Sequence, residues 1–578
     1  MSQVSQLGQL ETKRRSKESS KLSFFDRMTA TAYKMFGTQG KKFAASSPEM
    51  REQILKSNLR ITPEALVSLA MFTTVLTIIP VVVCVVLGLM LHIVFLFMVV
   101  LAPPIVFVLI WNLPKASASS RSEGIENELP MLIGFLGVLS GGGVSPISTL
   151  RRVSGMGKVF PASAREAKRI LVDIDVFGTD PITAFETAAK YMPNKAFSEF
   201  LYGYTTVLKV GGDVKNYVNN KLKETLDQST SKVRRITDSV GTLAEAYLTV
   251  TAVMGITLFS LFQLEGVIAH NNSGLQTLFI FSYVVVPALS GLFIFIIDGT
   301  QPKQPYFNKR PYYVLMACMP IGLALFLIPL PLQLSIHVAV ALGAIVIIPS
   351  IVALRQSRER SGLEKALPDF IRDVAEGRKI GLSPEGSIEQ LSSKNYGRLS
   401  KSIKTMGSQI SWGLPILKVI KTFADSVDSW ITMAIGTLMV EVVDVGGGTV
   451  SAFSTMADFT RKVNEIETDK KSALRSYIFV VYMAAILLVM TTFMMVYFLS
   501  TPIKFAGEAA SNIPGITITP ATVQSLLTAS IFDGWVIGFV AGKMGGGTVA
   551  DGFKHALALV LVGGLMVALS GPILGHGI

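Results

Sequence analysis

Long apolar runs alternate with long polar stretches along this chain, and the alternation sets the expected architecture. Apolar stretches lie near 63–88, 91–113, 243–264, 275–297, 312–332, 334–354, 476–499, 520–542 and 556–575. Each suffices for the roughly 20 helical residues that cross about 30 Å of hydrocarbon, so about nine transmembrane helices are expected. The polar stretches have a helical period instead of strand alternation: Phe197, Phe200, Leu201, Tyr204 and Leu208, then Val427, Trp430, Ile431, Ala434, Leu438 and Val442, step by three and four residues. The expected fold is therefore all-α, a polytopic membrane protein with two duplicated cytoplasmic helical-bundle modules. Its expected parts are a basic arm at 1–62, a membrane hairpin at 63–113, a module at 114–241, a hairpin at 242–298 and a linker at 299–311. A third hairpin at 312–354, a second module at 355–475 and three C-terminal spans at 476–578 complete it.

The two modules are copies. Gly124-Ile125-Glu126 returns as Gly362-Leu363-Glu364, Leu129-Pro130 as Leu367-Pro368, and Gly143-Val144-Ser145-Pro146 as Gly381-Leu382-Ser383-Pro384, all at one offset. Nine of the 31 positions from Gly124 to Ser154 are identical at that offset, against about two expected by chance. The register then slips by three, so that Phe177-Gly178 pairs with Trp412-Gly413 and Val210-Gly211-Gly212 with Val445-Gly446-Gly447. Gly143, Gly178, Gly381 and Gly413 each stand where one helix stops, with Pro146 and Pro384 opening the next. Each copy reads as two spans, a module and two spans, so both modules face the same side. Inverted transporter repeats do not.

Charge fixes which side that is. Of the 53 lysines and arginines, all but Lys504 fall before the first span, within the modules or in the short turns on their side. The positive-inside tendency makes that side cytoplasmic, with the N-terminus inside. The net charge of +13 mostly records this topology and an attraction to anionic membrane lipid; no nucleic-acid recognition motif accompanies it. The first apolar run begins behind sixty polar and basic residues, so it reads as a retained span and not a cleaved signal. Lys21 to Phe36 places Leu22, Phe25, Met28, Ala32 and Met35 or Phe36 on one helical stripe, either a helix for the membrane interface or a partner, or a basic arm.

Catalytic chemistry is scarce, so no cofactor, metal or catalytic residue is expected. Lys41, Lys158 and Lys543 follow glycines but are followed by Lys, Val and Met, which encodes no phosphate loop. His92, His270, His337, His555 and His576 are scattered, and Cys84 and Cys318 both lie inside expected spans. Gly446-Gly447-Gly448 and Gly545-Gly546-Gly547 read as helix breaks or close helix packing ahead of ligand cradles. Asp533 stands near the middle of the eighth span, where a carboxylate is costly unless it pairs. It serves a substrate contact or proton path, or an internal hydrogen bond joining spans. Arg151, Arg152, Lys158, Arg165, Lys168 and Arg169 form one basic cluster, opposed there only by Glu166; Arg355, Arg358, Arg360, Arg372, Arg378 and Lys379 form another. Such patches dock an acidic partner or lipid, or are simply solvated faces.

The repeated Leu-Pro, the Gly-[Val/Leu]-Ser-Pro turn, the second Gly turn and the late Gly-Gly resemble the type II secretion system F domain. That domain belongs to the membrane platform proteins of type IV pili, type II secretion systems and archaella. With nine spans and two modules the chain is most similar to archaeal members. The resemblance implies a non-enzymatic platform beneath a growing filament, a homodimer whose modules meet a hexameric cytoplasmic secretion ATPase. Pilin or archaellin subunits would be its cargo, and the two basic clusters its candidate ATPase contacts. The competing readings are a polytopic solute transporter, which calls for short loops and charges at a midplane site, and a membrane signalling scaffold.

Overall fold

The computed structural model describes residues 24–91, 99–268, 279–303, 308–329, 331–445, 449–500 and 520–574. Leu22, His92, His270, Gly446-Gly447-Gly448, Lys504, His576 and part of the second expected span lie outside these residues. The described residues are predominantly helical, with no strand among them.

In chain order the helices are α1 (Phe24–Ala45), α2 (Pro48–Ser57), α3 (Pro63–Leu91), α4 (Ala102–Trp111), α5 (Leu113–Gly141), α6 (Pro146–Ser154), α7 (Pro161–Asp175), α8 (Pro181–Lys190), α9 (Lys195–Val210) and α10 (Val214–Ile268). After a π-helical turn at Phe281–Val285 come α11 (Val286–Thr300), α12 (Arg310–Leu327), α13 (Leu334–Lys379), α14 (Pro384–Leu391), α15 (Ser400–Ser411), α16 (Ile416–Ser426), α17 (Trp430–Asp444), α18 (Val450–Ser500), α19 (Pro520–Gly546) and α20 (Gly552–Leu574). Eight helices among the described residues are long and apolar enough to cross a membrane. The pair Val99–Trp111 and Leu113–Gly141, bent by 50°, raises the number to nine when counted as one span.

The duplication extends to each α-helix of the modules. Helices α5 to α10 correspond in order to α13 to α18. The long helices pass from polar to apolar sequence, or back, without a break: α10, α13 and α18 continue through the expected module boundaries at 241, 354 and 475. The turns match in backbone detail. Gly143, Gly178, Gly381 and Gly413 all adopt positive φ, at 86°, 67°, 91° and 81°. Nothing lies near an added Cβ at any of the four, so glycine is required there by its left-handed backbone and not by crowding. Val144 donates its N–H to Leu139 O and Leu382 to Gly377 O, each five residues back, closing the same helix stop in both copies. Ser145 and Ser383 then accept the N–H three residues ahead, from Ser148 and Gly386, opening the helices begun by Pro146 and Pro384.

Residues 24–129 and 150–217 form one compact unit, and 130–149 with 218–574 the other. In the first, α1 is an ordered helix lying along α3. Its packing face is Ala32 and Gly40, with Met28 and Phe36 half-buried; Phe25 and Met35 of the expected stripe point to the exterior. An added Cβ at Gly40 would crowd the Glu64 carbonyl, which fixes how near the helices run.

In the second unit, the equivalent helices α10 and α18 pack directly on each other. Gly241 accommodates the Tyr477 ring and Gly255 faces Leu488. Val240, Ala244, Tyr247, Val481, Ala484 and Leu488 form a core there with Phe293, Ile297, Ile537 and Val540. The end of α5 lies against α18 too, with Gly134 under the Phe459 ring. Helices α19 and α20 meet through small residues: a Cβ at Gly538 or Gly542 would overlap the backbone of Ala556 or Gly552. Gly545 fits against Ile478 in the same way, so this glycine-rich run serves close helix packing.

Candidate functional site

The second module's geometry follows from its internal contacts. At the end nearest the apolar half of α13, Asp428 accepts from Asn308 Nδ2 at 2.6 Å and from Gln356 Nε2 at 3.3 Å. At the other end Ser387 lies under Gly377 and Ser392 under Gly407, so the Gly381 and Gly413 turns share the face remote from the spans. Near the spans, Glu364 is buried and cross-linked. Its carboxylate accepts from Arg360 Nε at 3.0 Å, Ser429 Oγ at 2.9 Å and Lys471 Nζ at 2.8 Å, tying α13, α17 and α18 together. Burial alone would raise this carboxyl, but Arg360 and Lys471 outweigh it and hold it below its ordinary value.

The first module buries a different acid. Its counterpart of Glu364 is Glu126, which is exposed. Two residues on, Glu128 is 1% exposed and accepts the backbone N–H groups of Ala162 and Ser163 at 2.8 and 2.7 Å, capping α7. This is a helix N-terminus stabilised by an anion. Burial pushes the Glu128 carboxyl up, against those two hydrogen bonds.

The expected basic clusters dissolve into separate arrangements. Glu166 does not offset the first: it is buried and grips Arg121, Nε to Oε1 at 2.7 Å. Arg151 pairs with Asp175 at 2.8 Å, and Arg165 donates to the Pro161 carbonyl. Lys158 and Lys168 are exposed, Arg152 and Arg169 half-buried. In the second cluster Arg360 belongs to Glu364, Arg372 lies between Asp369 and Asp373, Lys379 pairs with Glu376 and Arg378 donates to the Leu382 carbonyl. Arg355 and Arg358 are exposed, but on α13 they stand roughly 20 to 35 Å of helix from Arg372 and Lys379.

A third set went unread in the sequence. From Ser392 to Ala424 there is no acidic residue, while Lys394, Arg398, Lys401, Lys404, Lys418 and Lys421 all occur. Lys401, Lys404, Lys418 and Lys421 are exposed on the α15–α16 hairpin, whose tip carries Trp412 at 79% exposure. The signal was the missing acid, not a dense run of cations.

Asp533 sits in α19 at 2% exposure. Its Oδ1 has no partner among the described residues; nor has the indole N–H of Trp535. Lys543, also in α19, pairs with Asp298 of α11 at 2.6 Å. Among the described residues no three His, Cys, Asp or Glu side chains gather as a metal site.

A polytopic helical membrane protein built on two equivalent six-helix modules, each continuous with its spans, is the class these elements define. The chain carries two copies of the domain of the family described as Type II secretion system (T2SS), protein F, matched over residues 132–262 and 370–497. It is 23% identical to an uncharacterized protein of Methanocaldococcus jannaschii, over 78% of this chain and 80% of that one. It is 22% identical to Flagella accessory protein J of the same organism, over 67% of this chain and 72% of that one. No solved structure matches the chain. The two domain matches and the likeness to Flagella accessory protein J support a platform-type membrane protein of the secretion, type IV pilus and archaellum class.

Proposed function

We propose that this protein is the membrane platform of an archaellum or archaeal type IV pilus machine, coupling a cytoplasmic secretion ATPase to insertion of pilin-like subunits into the filament. The observation that carries this reading is the pair of F-type domains whose polar helices run unbroken into apolar spans, as α10 and α18 do. A helix continuous across that boundary passes displacement from one side to the other, which a docked motor requires. The likeness to Flagella accessory protein J supports the archaeal setting. In this reading the modules and N-terminus are cytoplasmic, the protein acts as a homodimer without catalysis of its own, and a hexameric ATPase meets the modules.

Reconstitution tests it. The full chain in lipid nanodiscs is expected to bind the purified secretion ATPase of its organism, and deletion of its gene to abolish filaments while pilin-like subunits accumulate in the membrane. Filaments of normal number in the deletion strain would refute the reading.

A further inference from the structure

We infer that the α15–α16 hairpin, with Trp412 at its tip and Lys401, Lys404, Lys418 and Lys421 on its flanks, is the docking element for an acidic protein face that bears an apolar pocket. The identity of that protein as the secretion ATPase rests on the function proposed above.

Three observations converge on the hairpin. The first is charge: no acid occurs between Ser392 and Ala424, and the four exposed lysines have no ionic partner among the described residues. Elsewhere in the module Arg360, Arg372 and Lys379 are already engaged by acids of their own helix. A face left with uncompensated cations attracts and orients an acidic partner.

The second is the indole. The turn that Gly413 closes with φ of 81° leaves Trp412 at 79% exposure, beside a bundle that buries Trp430 to 6%. Tryptophan, with tyrosine and arginine, is enriched among the residues that anchor protein interfaces, seated in a desolvated pocket and ringed by contacts that exclude water. Ile380, on the neighbouring turn, is 77% exposed and extends the apolar surface.

The third is position, which selects protein over lipid. The Gly381 and Gly413 turns lie at the end of the bundle remote from the spans, and the polar part of α13 covers about 35 Å between them. That is several times the roughly 8 Å over which a membrane's surface charge acts in physiological salt. The lysines therefore face a partner in solution and not head groups.

The first module presents the same tip without the charge. Phe177, equivalent to Trp412, is 73% exposed with Val176 at 70%. Yet its hairpin carries Asp173, Asp175, Asp180 and Glu186 alongside its cations. The duplicated fold thus has one electrostatically equipped tip, that of the second module.

Binding of the purified ATPase to the full chain in neutral-lipid nanodiscs tests this. W412A is expected to weaken binding at least ten-fold, and K401E/K404E/K418E/K421E to do the same while abolishing its salt dependence; F177A should stay within three-fold. Since all five second-module side chains are exposed, the thermal midpoint of each variant should match the wild type. Emission attributable to Trp412, taken as the difference from W412F, should shift to the blue when ATPase is added. Wild-type binding matched within two-fold by both W412A and the lysine reversal would overturn the inference and leave the platform reading standing. A blue shift on anionic lipid alone would overturn it in favour of a membrane contact. No binding by the wild type would remove the platform reading itself.

Discussion

At the residue scale the backbone-to-backbone approach of α19 and α20 is the most sensitive point. Gly538 and Gly542 leave no room for a methyl group, whereas a Cβ at Gly534 stays 3.8 Å from Leu559. G538A and G542A should each cost about 1–3 kcal/mol, as overpacking does, and lower the thermal midpoint in detergent, with G534A close to wild type. The two buried carboxylates respond to acid in opposite senses. Glu364 is held below its ordinary value of 4.5, so the stability it contributes is complete above that pH and is lost as pH falls through its lower folded value. Glu128 is raised above 4.5, so the fold favours its neutral form, and the cost of its charge at neutral pH is relieved as pH falls through that raised value. E364Q should therefore be less stable than wild type at pH 7, and the gap should close below pH 4.5. Unfolding followed by circular dichroism between pH 3 and 7 reads both.

At the scale of elements, the helices, their glycine stops and the duplication were legible because they rest on local rules. Gly143, Gly178, Gly381 and Gly413 could be read as helix ends since only glycine takes that backbone cheaply, and the spans since hydropathy is additive along a helix. Partnership was not legible. Whether Glu166 opposed its own cluster or gripped Arg121, 45 residues earlier, depends on packing that no spacing encodes. The equivalence of the copies also misleads at single residues: Glu126 and Glu364 align, yet one is exposed and the other bears three donors. The acid-free hairpin was readable in principle, but a search for adjacent cations passes over lysines spaced along two helices. Continuity within α18 yields its own prediction. Its 51 residues contain neither glycine nor proline, and A473P, placed where polar sequence gives way to apolar, should remove a backbone hydrogen bond at a cost of about 3 kcal/mol. ATPase binding by that variant should remain within two-fold of wild type while filament assembly, counted by electron microscopy, is lost.

At the scale of the whole molecule, the cation distribution predicts a single topology that labelling can check. With Cys84 and Cys318 replaced by alanine, a single cysteine at Ser411 should react with a membrane-impermeant maleimide only after the cells are lysed, and one at Ser511 in intact cells. Labelling of the Ser411 variant in intact cells would invert the topology. What α18 does within such a membrane can be stated mechanically. About 39 Å of the helix, residues 450–475, stands on the polar side of the boundary and about 37 Å, residues 476–500, on the apolar side. The bonds from Lys471 to Glu364 and the fit of Tyr477 against Gly241 hold it close to that midpoint. A stiff bar held near its centre is a balanced lever, so tilting it by about 5° would move its two ends about 3 Å in opposite directions, with no amplification and little loss.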